Sequence, residues 1–197
     1  MQRKSNVKRI TKETSVEVKI NLDGKGKYKI YTSIPFLDHM LEIFSFHSNF
    51  DLFIKAKGDI FIDEHHLVED IGLTLGEAFL KALGNKKGIK RYAEVITPMD
   101  ESLSYVAVDI SGRPNLCYEV KFLPQYKKSD FDYSLIKEFL KAFVNEAKIT
   151  LHIKILNGEN NHHISESIFK SLARVLKEAT EIEDKSKRKT PSTKGSL

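Results

Sequence analysis

Polar and apolar residues alternate along SVEVKINL (15–22), the period of a strand with one buried face. DGKG follows as a turn and YKIYTSI (28–34) resumes the alternation, so the two segments together predict a hairpin. The period then lengthens. FLDHMLEIFSFHSNF (36–50) carries apolar residues at helical spacing, DLFIKAKG (51–58) returns to strand character, and HHLVEDIGLTLGEAFLKALG (65–84) is a long helical pattern closed by glycine. From Tyr92 a comparable order begins: AEVITPM, SYVAVDIS and PNLCYEVKF read as extended, 134–147 as helical, ITLHIKIL (149–156) as extended and 162–180 as helical. HHLVED in the first half is echoed by HHISES in the second, each opening the last helix of its half, and duplication explains both. The expected architecture is α+β, with two similar half-domains at 1–90 and 91–181. Each is read as an antiparallel sheet with two helices on one face, the opposite face being covered by its counterpart. Residues 182–197 read as a charged linker and tail.

Composition narrows the function classes. The chain has 197 residues, 41% hydrophobic and 30% charged, and no apolar run approaches the length of a membrane span. With a polar amino-terminal segment as well, the expectation is a soluble, cytoplasmic protein with no membrane partner. The single cysteine, Cys117, permits no intrachain disulfide or thiolate cluster and reads as a small buried hydrophobe. The net charge of +5 comes from basic residues interleaved with acids, which suits a small anionic ligand and gives no stripe for nucleic acid. EIEDKSKRKT (181–190) reads as a solvated connection, and PSTKGSL (191–197) taken alone reads as a disordered end.

The candidate chemistry lies in the histidines. Four of the seven form adjacent pairs, His65-His66 and His162-His163, each followed at the same offset by a glutamate, Glu69 and Glu166. Chance would supply only about a quarter of one such pair at this composition, so shared ligand duty is the better cause. On a helix His65 shares a face with Glu69, and His162 with Glu166, whereas the adjacent His66 and His163 point about a hundred degrees away. Each odd histidine can reach the pair of the other repeat, within one chain or across subunits, and both arrangements stay open. Upstream, His39 and Glu138 occupy comparable places in the preceding helix of each repeat. The sets expected are therefore His65, Glu69, Glu138 and His163 for one metal, and His39, His66, His162 and Glu166 for the other. Nitrogen and oxygen donors suit manganese, iron(II), zinc, nickel or cobalt. His47 and His152 fall outside these offsets, where each can be a satisfied core histidine.

With RITKET, LDGKGKYKI, IPFLDHML, GDIFIDEHHLVED, GIKRY, PMDESL, VDISGRP, LHIKILNGENNHHISESIFK and PSTKG, the chain resembles the imidazoleglycerol-phosphate dehydratases over nearly its whole length. The resemblance implies a duplicated fold of the ribosomal protein S5 domain 2-like type, two manganese ions per active site and a homo-oligomeric shell of twenty-four subunits. It implies dehydration of D-erythro-imidazoleglycerol phosphate to imidazole acetol phosphate in histidine biosynthesis. In that reaction two metals hold the substrate's imidazole as an electron sink while a carboxylate moves a carbon-bound proton. Glu13 in KET resembles the family's active-site glutamate, with Glu69 a competing candidate for the proton transfer. By the same resemblance His47, Arg91, Arg113, Lys170, Ser192 and Lys194 bind substrate with Glu13, the cations meeting its phosphate. Without it, Arg91 and Arg113 are surface arginines and Lys170 a solvated helix residue. The sequence departs from the pattern at Ser33, where glycine is common, at Ser102 in PMDES, and at Glu138, where many members have histidine. Two rival functions share the same residues: a two-metal sugar-phosphate phosphatase, which would release phosphate, and a non-catalytic metal-binding shell.

Overall fold

In the first half, Val16, Val18 and Ile20 point inward from one strand and Leu52, Ile54 and Ala56 from its neighbour, and this shared apolar face fixes the register. The structure, a computed structural model, describes residues 3–125, 131–183 and 190–194. The elements run β1 (Lys4–Ile10), β2 (Thr14–Asn21), β3 (Tyr28–Tyr31), α1 (Pro35–Ser48), β4 (Asp51–Gly58) and α2 (His65–Leu83). The second half repeats them as β5 (Tyr92–Met99), β6 (Ser102–Asp109), β7 (Asn115–Glu119), α3 (Leu135–Ala147), β8 (Thr150–Asn157) and α4 (Asn161–Thr180). Each half forms a four-stranded sheet of the same order, β1-β2-β4-β3 and β5-β6-β8-β7, which is the duplication expressed as topology.

Three expectations are corrected. The segments 15–22 and 28–34 are not a hairpin: β2 pairs with β1 and β4, while β3 lies at the far edge beside β4. Nor are the sheets wholly antiparallel, because β3 runs parallel to β4 and β7 to β8, each pair joined through a crossover helix. The hairpin reading overlooked β1, an edge strand whose one fully inward apolar residue, Val7, gives no alternation to detect. The third correction concerns packing. The helices of one half meet those of the other, α2 on α3 and α1 on α4, so the layers run sheet, helices, helices, sheet. The outer sheet faces carry residues such as Lys19, Lys55 and Lys57 and need no cover.

A single apolar core spans both halves, with Phe79, Phe139, Phe143 and Phe169 almost wholly buried at the helix interface. Burying each such ring contributes roughly 1.5–3 kcal/mol. At the α2–α3 crossing Gly72 and Gly76 remove the side chains that would hold the helices apart. A Cβ at Gly72 would lie 2.6 Å from the Phe139 carbonyl oxygen, and one at Gly76 2.5 Å from that of Phe143.

Candidate metal centre

Both histidine pairs occupy the first turn of a helix, where backbone N–H groups need acceptors from outside it. Asp63 Oδ1 accepts from the His65 N–H at 2.8 Å, and Asn160 Oδ1 accepts from the N–H groups of His162 and His163 at 2.8 and 3.4 Å. The turns of α2 and α4 are thereby fixed, and consecutive rings diverge as helical geometry requires. The planes of His65 and His66 differ by 87° and those of His162 and His163 by 86°.

At the start of α4 the expected pair converges, joined by His39 from α1 of the other half. His162 Nε2 lies 3.0 Å and His39 Nε2 3.4 Å from Glu166 Oε1, while Lys170 Nζ lies 2.7 Å from Oε2. Burial pushes the Glu166 carboxyl up, but the hydrogen bonds from Lys170 and His162, the Lys170 charge and His39 outweigh it and hold the group at about 2. Glu166 is thus an anion flanked by two imidazoles, and Phe36 stands edge-on to His162 at 5.5 Å. The donor atoms of His39, His162 and Glu166 lie within 4.8 Å of one another. Two imidazole nitrogens and one carboxylate oxygen fit a borderline divalent cation.

The remaining expected ligands are distributed differently. His66 faces Asp59, with Nδ1 3.1 Å from Oδ2, and Glu13 Oε2 lies 3.8 Å from the same nitrogen. The hydrogen bond to Asp59 and the charge of Glu13 raise the affinity of His66 for a proton. His163 faces Glu101, with Nδ1 2.7 Å from Oε2, and this bond holds Glu101 at about 2 while raising the His163 pKa. Within the chain, then, His66 does not join His39, His162 and Glu166. Among the described residues no convergent group of three contains His65, Glu69, Glu138 or His163. Glu69 is exposed and Glu138 half-buried, 3.9 Å from Lys141. The repeat position held by Lys170 beside Glu166 is Leu73 beside Glu69.

The expected phosphate groups form two clusters. Arg91 grips Asp109 through Nε and Nη2, at 2.7 and 3.1 Å, and donates from Nη1 to the Pro191 carbonyl at 2.8 Å. The bond to Asp109 raises its pKa further. Arg113 Nη2 lies 4.0 Å from the same Asp109, with the side chain mostly exposed. In the tail the Lys194 N–H donates to Ser192 Oγ at 3.2 Å. His47 belongs to the second cluster: burial, then Lys170 and Arg174, lower its pKa. It lines a cavity of about 420 Å³ with Arg174, Lys90 and Lys177. Sequence reasoning assigned nothing to Asp59, Glu101 or Asp109. The only signal was position, since Glu101 precedes β6 as Glu13 precedes β2.

No described helix is long and apolar enough to cross a membrane. The imidazoleglycerol-phosphate dehydratase family model matches residues 32–176. An imidazoleglycerol-phosphate dehydratase of Caldicellulosiruptor bescii is 56% identical over 197 residues, covering 100% of this chain and 99% of that protein. One from Clostridioides difficile is 56% identical over 176 residues, 89% and 91% of the two chains. The Pyrococcus furiosus enzyme structure superposes with a TM-score of 0.82 at 39% identity, covering 97% of this chain and 100% of that one. The Staphylococcus aureus enzyme gives 0.79, also at 39%, over 89% and 97%. With two converging nitrogen donors around a buried carboxylate, a duplicated fold and relatives aligned over its full length, this chain belongs to the imidazoleglycerol-phosphate dehydratase family.

Proposed function

We propose that this chain dehydrates D-erythro-imidazoleglycerol phosphate to imidazole acetol phosphate, a step of histidine biosynthesis, with two divalent ions at each active site, manganese foremost. Membership of the family carries the reaction, and the convergence of His39, His162 and Glu166 supports the metal dependence. His39, His66, His162 and Glu166 would hold one ion and His65, Glu69, Glu138 and His163 the other. Bound ions supply Lewis acidity to the nitrogens of the substrate's ring. The odd histidines His66 and His163 point away from the His39 cluster, which supports sites completed by further copies of the chain. A closed homo-oligomer, twenty-four subunits by family resemblance, would bring them together in the cytoplasm.

Glu13 is the residue we assign to the proton. Its side chain is 56% exposed at the end of the β1–β2 turn, beside His66 but not locked by it. As a carboxylate it can take the proton from the carbon one removed from the imidazole and pass it to the hydroxyl that leaves, as water, from the ring-bearing carbon, and the enol then tautomerises to the ketone. Glu69 is the competing residue for this transfer. Arg113, Lys170, His47, Ser192 and Lys194 would meet the phosphate. Arg91 would serve it by anchoring the tail through Pro191, since most of its donor fork is already engaged.

The test is direct. The manganese-loaded protein incubated with imidazoleglycerol phosphate should form an enolisable ketone and release no inorganic phosphate; phosphate release would instead mark a phosphatase. Deleting residues 191–197 should abolish turnover with metal content unchanged, and full activity in that truncation would reject the tail's role.

A further inference from the structure

His66 and His163 each turn Nδ1 to an acid outside the proposed ligand sets, the same contact in both halves, while His163 Nε2 lies 3.8 Å from the mostly exposed Asp100 Oδ2, beyond hydrogen-bond reach. His66 Nδ1 lies 3.1 Å from Asp59 Oδ2, and His163 Nδ1 lies 2.7 Å from Glu101 Oε2. The two acids are fixed differently, Asp59 by burial and Glu101 by hydrogen bonds of its own. The Asp59 side chain is only 11% exposed, and its Oδ1 is buried with no hydrogen-bond partner, so Oδ2 depends on His66 for its donor. Glu101 Oε1 accepts from the Glu159 N–H at 3.1 Å and from Ser102 Oγ at 3.2 Å, which leaves Oε2 for His163. An ionised carboxylate only accepts, so the nitrogen facing it must carry the hydrogen; a neutral imidazole with hydrogen on Nδ1 keeps its lone pair on Nε2. Nε2 is also the atom that His39 and His162 turn toward Glu166.

We propose that Asp59 and Glu101 are positioning residues that fix the Nδ1–H tautomer and the ring orientation of His66 and His163, presenting Nε2 of each as a metal donor to a neighbouring copy. This deepens the metal-dependent reading above and rests on it. It also separates Asp59 from Glu13. Both lie near His66 Nδ1, but the nearly buried Asp59 makes the hydrogen bond, leaving the exposed Glu13 free to move protons. Carboxylates that orient ligating histidines in this way are worth about 10–100-fold in metal affinity when removed.

Neutron diffraction from deuterium-exchanged, metal-free full-length protein at alkaline pD reads the tautomers without any substitution. Deuterium is expected on Nδ1 of His66 and His163 with Nε2 bare, and on Nε2 of His162, which faces Glu166 with that atom and serves as the internal comparison. Deuterium on Nε2 of His66 and His163 would overturn the proposal. Titration with Mn2+ followed by electron paramagnetic resonance gives the second reading. Asp59→Ala and Glu101→Ala should weaken binding by about 10–100-fold, and Asp59→Asn and Glu101→Gln, which keep an accepting oxygen, should recover most of it. Wild-type affinity in the alanine variants, or equal damage in the amide variants, would show that the acids do not act by orienting the rings. If the alanine variants fail to fold, the neutron result on the unaltered chain still decides. Dehydratase turnover enters neither measurement, so a failure of the proposed reaction would be seen separately.

Discussion

The two halves share one topology yet treat the same chemical problem differently. At the start of α4 a carboxylate sits between two imidazoles, His162 and, from α1 of the other half, His39, with Lys170 at its back, and Glu166 is buried, ionised and closed upon its neighbours. In the first half the repeat position of Glu166 is the exposed Glu69, and that of Lys170 is Leu73. The comparable set at the start of α2 contains two carboxylates, Glu69 and, from α3 of the other half, Glu138, and one imidazole, His65. One acid flanked by nitrogen donors gathers by itself, whereas two acids repel until a cation lies between them. The odd histidines differ in the same spirit: His163 takes its acid from the β5–β6 turn and His66 takes its own from the end of β4, so the turn acid Glu13 stays available. Duplication copied the frame, and divergence of single residues made the start of α4, with His39 from the other half, a preformed cluster and the start of α2 a neighbourhood of open carboxylates.

The largest expected effect tests the division between Glu13 and Glu101. Glu13→Gln should lower kcat by about 10²–10⁴-fold with manganese stoichiometry unchanged, as loss of a general base requires. Steady-state kinetics beside metal analysis would show it, and near-normal kcat would transfer the role to Glu69. Next comes the contrast between the clustered and open carboxylates. Glu166→Gln should weaken Mn2+ binding more than the roughly 10–100-fold typical of residues outside the ligand set, and it should also loosen the metal-free chain by freeing Lys170, His39 and His162. Glu69→Gln should weaken binding without altering the stability of the metal-free chain, as measured by chemical denaturation. Equal losses of stability in both would erase the distinction.

How much of this was legible in the sequence depended on period. Helices α2 and α4, and with them the histidine pairs, announce themselves because their buried faces repeat every third and fourth residue. Strand β1 did not, having one inward apolar residue, and the position of β3 was misread because strand neighbours in sequence need not be neighbours in the sheet. In the candidate site, spacing found the members of the His39, His162 and Glu166 group but left open whether His66 reaches it within one chain, because helical phase gives the direction of a ring and not the surface it meets. Asp59, Glu101 and Asp109 were invisible for a plainer reason: an acid in a loop or at a strand end becomes informative only when its partner is in view.

Two smaller effects sharpen the comparison at the level of packing. Seven and eleven residues past the first histidine of each pair stand Gly72 and Gly76 in α2, but Phe169 and Ala173 in α4. Gly72→Ala gains about 1 kcal/mol of helix propensity but meets the Phe139 carbonyl at 2.6 Å. A net loss of about 1–2 kcal/mol is expected because overpacking dominates. Ala173→Gly in α4 should cost about 1 kcal/mol from propensity alone. Urea unfolding of both variants would compare the crossings, and a stabilised Gly72→Ala would mean that α2 and α3 can separate freely. Smallest is Ser33, whose φ of 68° places a serine just ahead of α1 in the left-handed region that glycine adopts without steric cost. Ser33→Gly should raise stability by about 0.5–1 kcal/mol, seen as a higher Tm.

The central double layer of helices has a consequence for ancestry. A solitary half would leave the greasy sides of two helices open to water, so it could persist only by finding a second copy of itself, at a strength set by its abundance in the cell. Joining the copies end to end makes that encounter intramolecular and independent of dilution. It also releases each copy from being identical, the freedom that let a histidine cluster gather across the two halves at the start of α4 while the acids at the start of α2 stayed open.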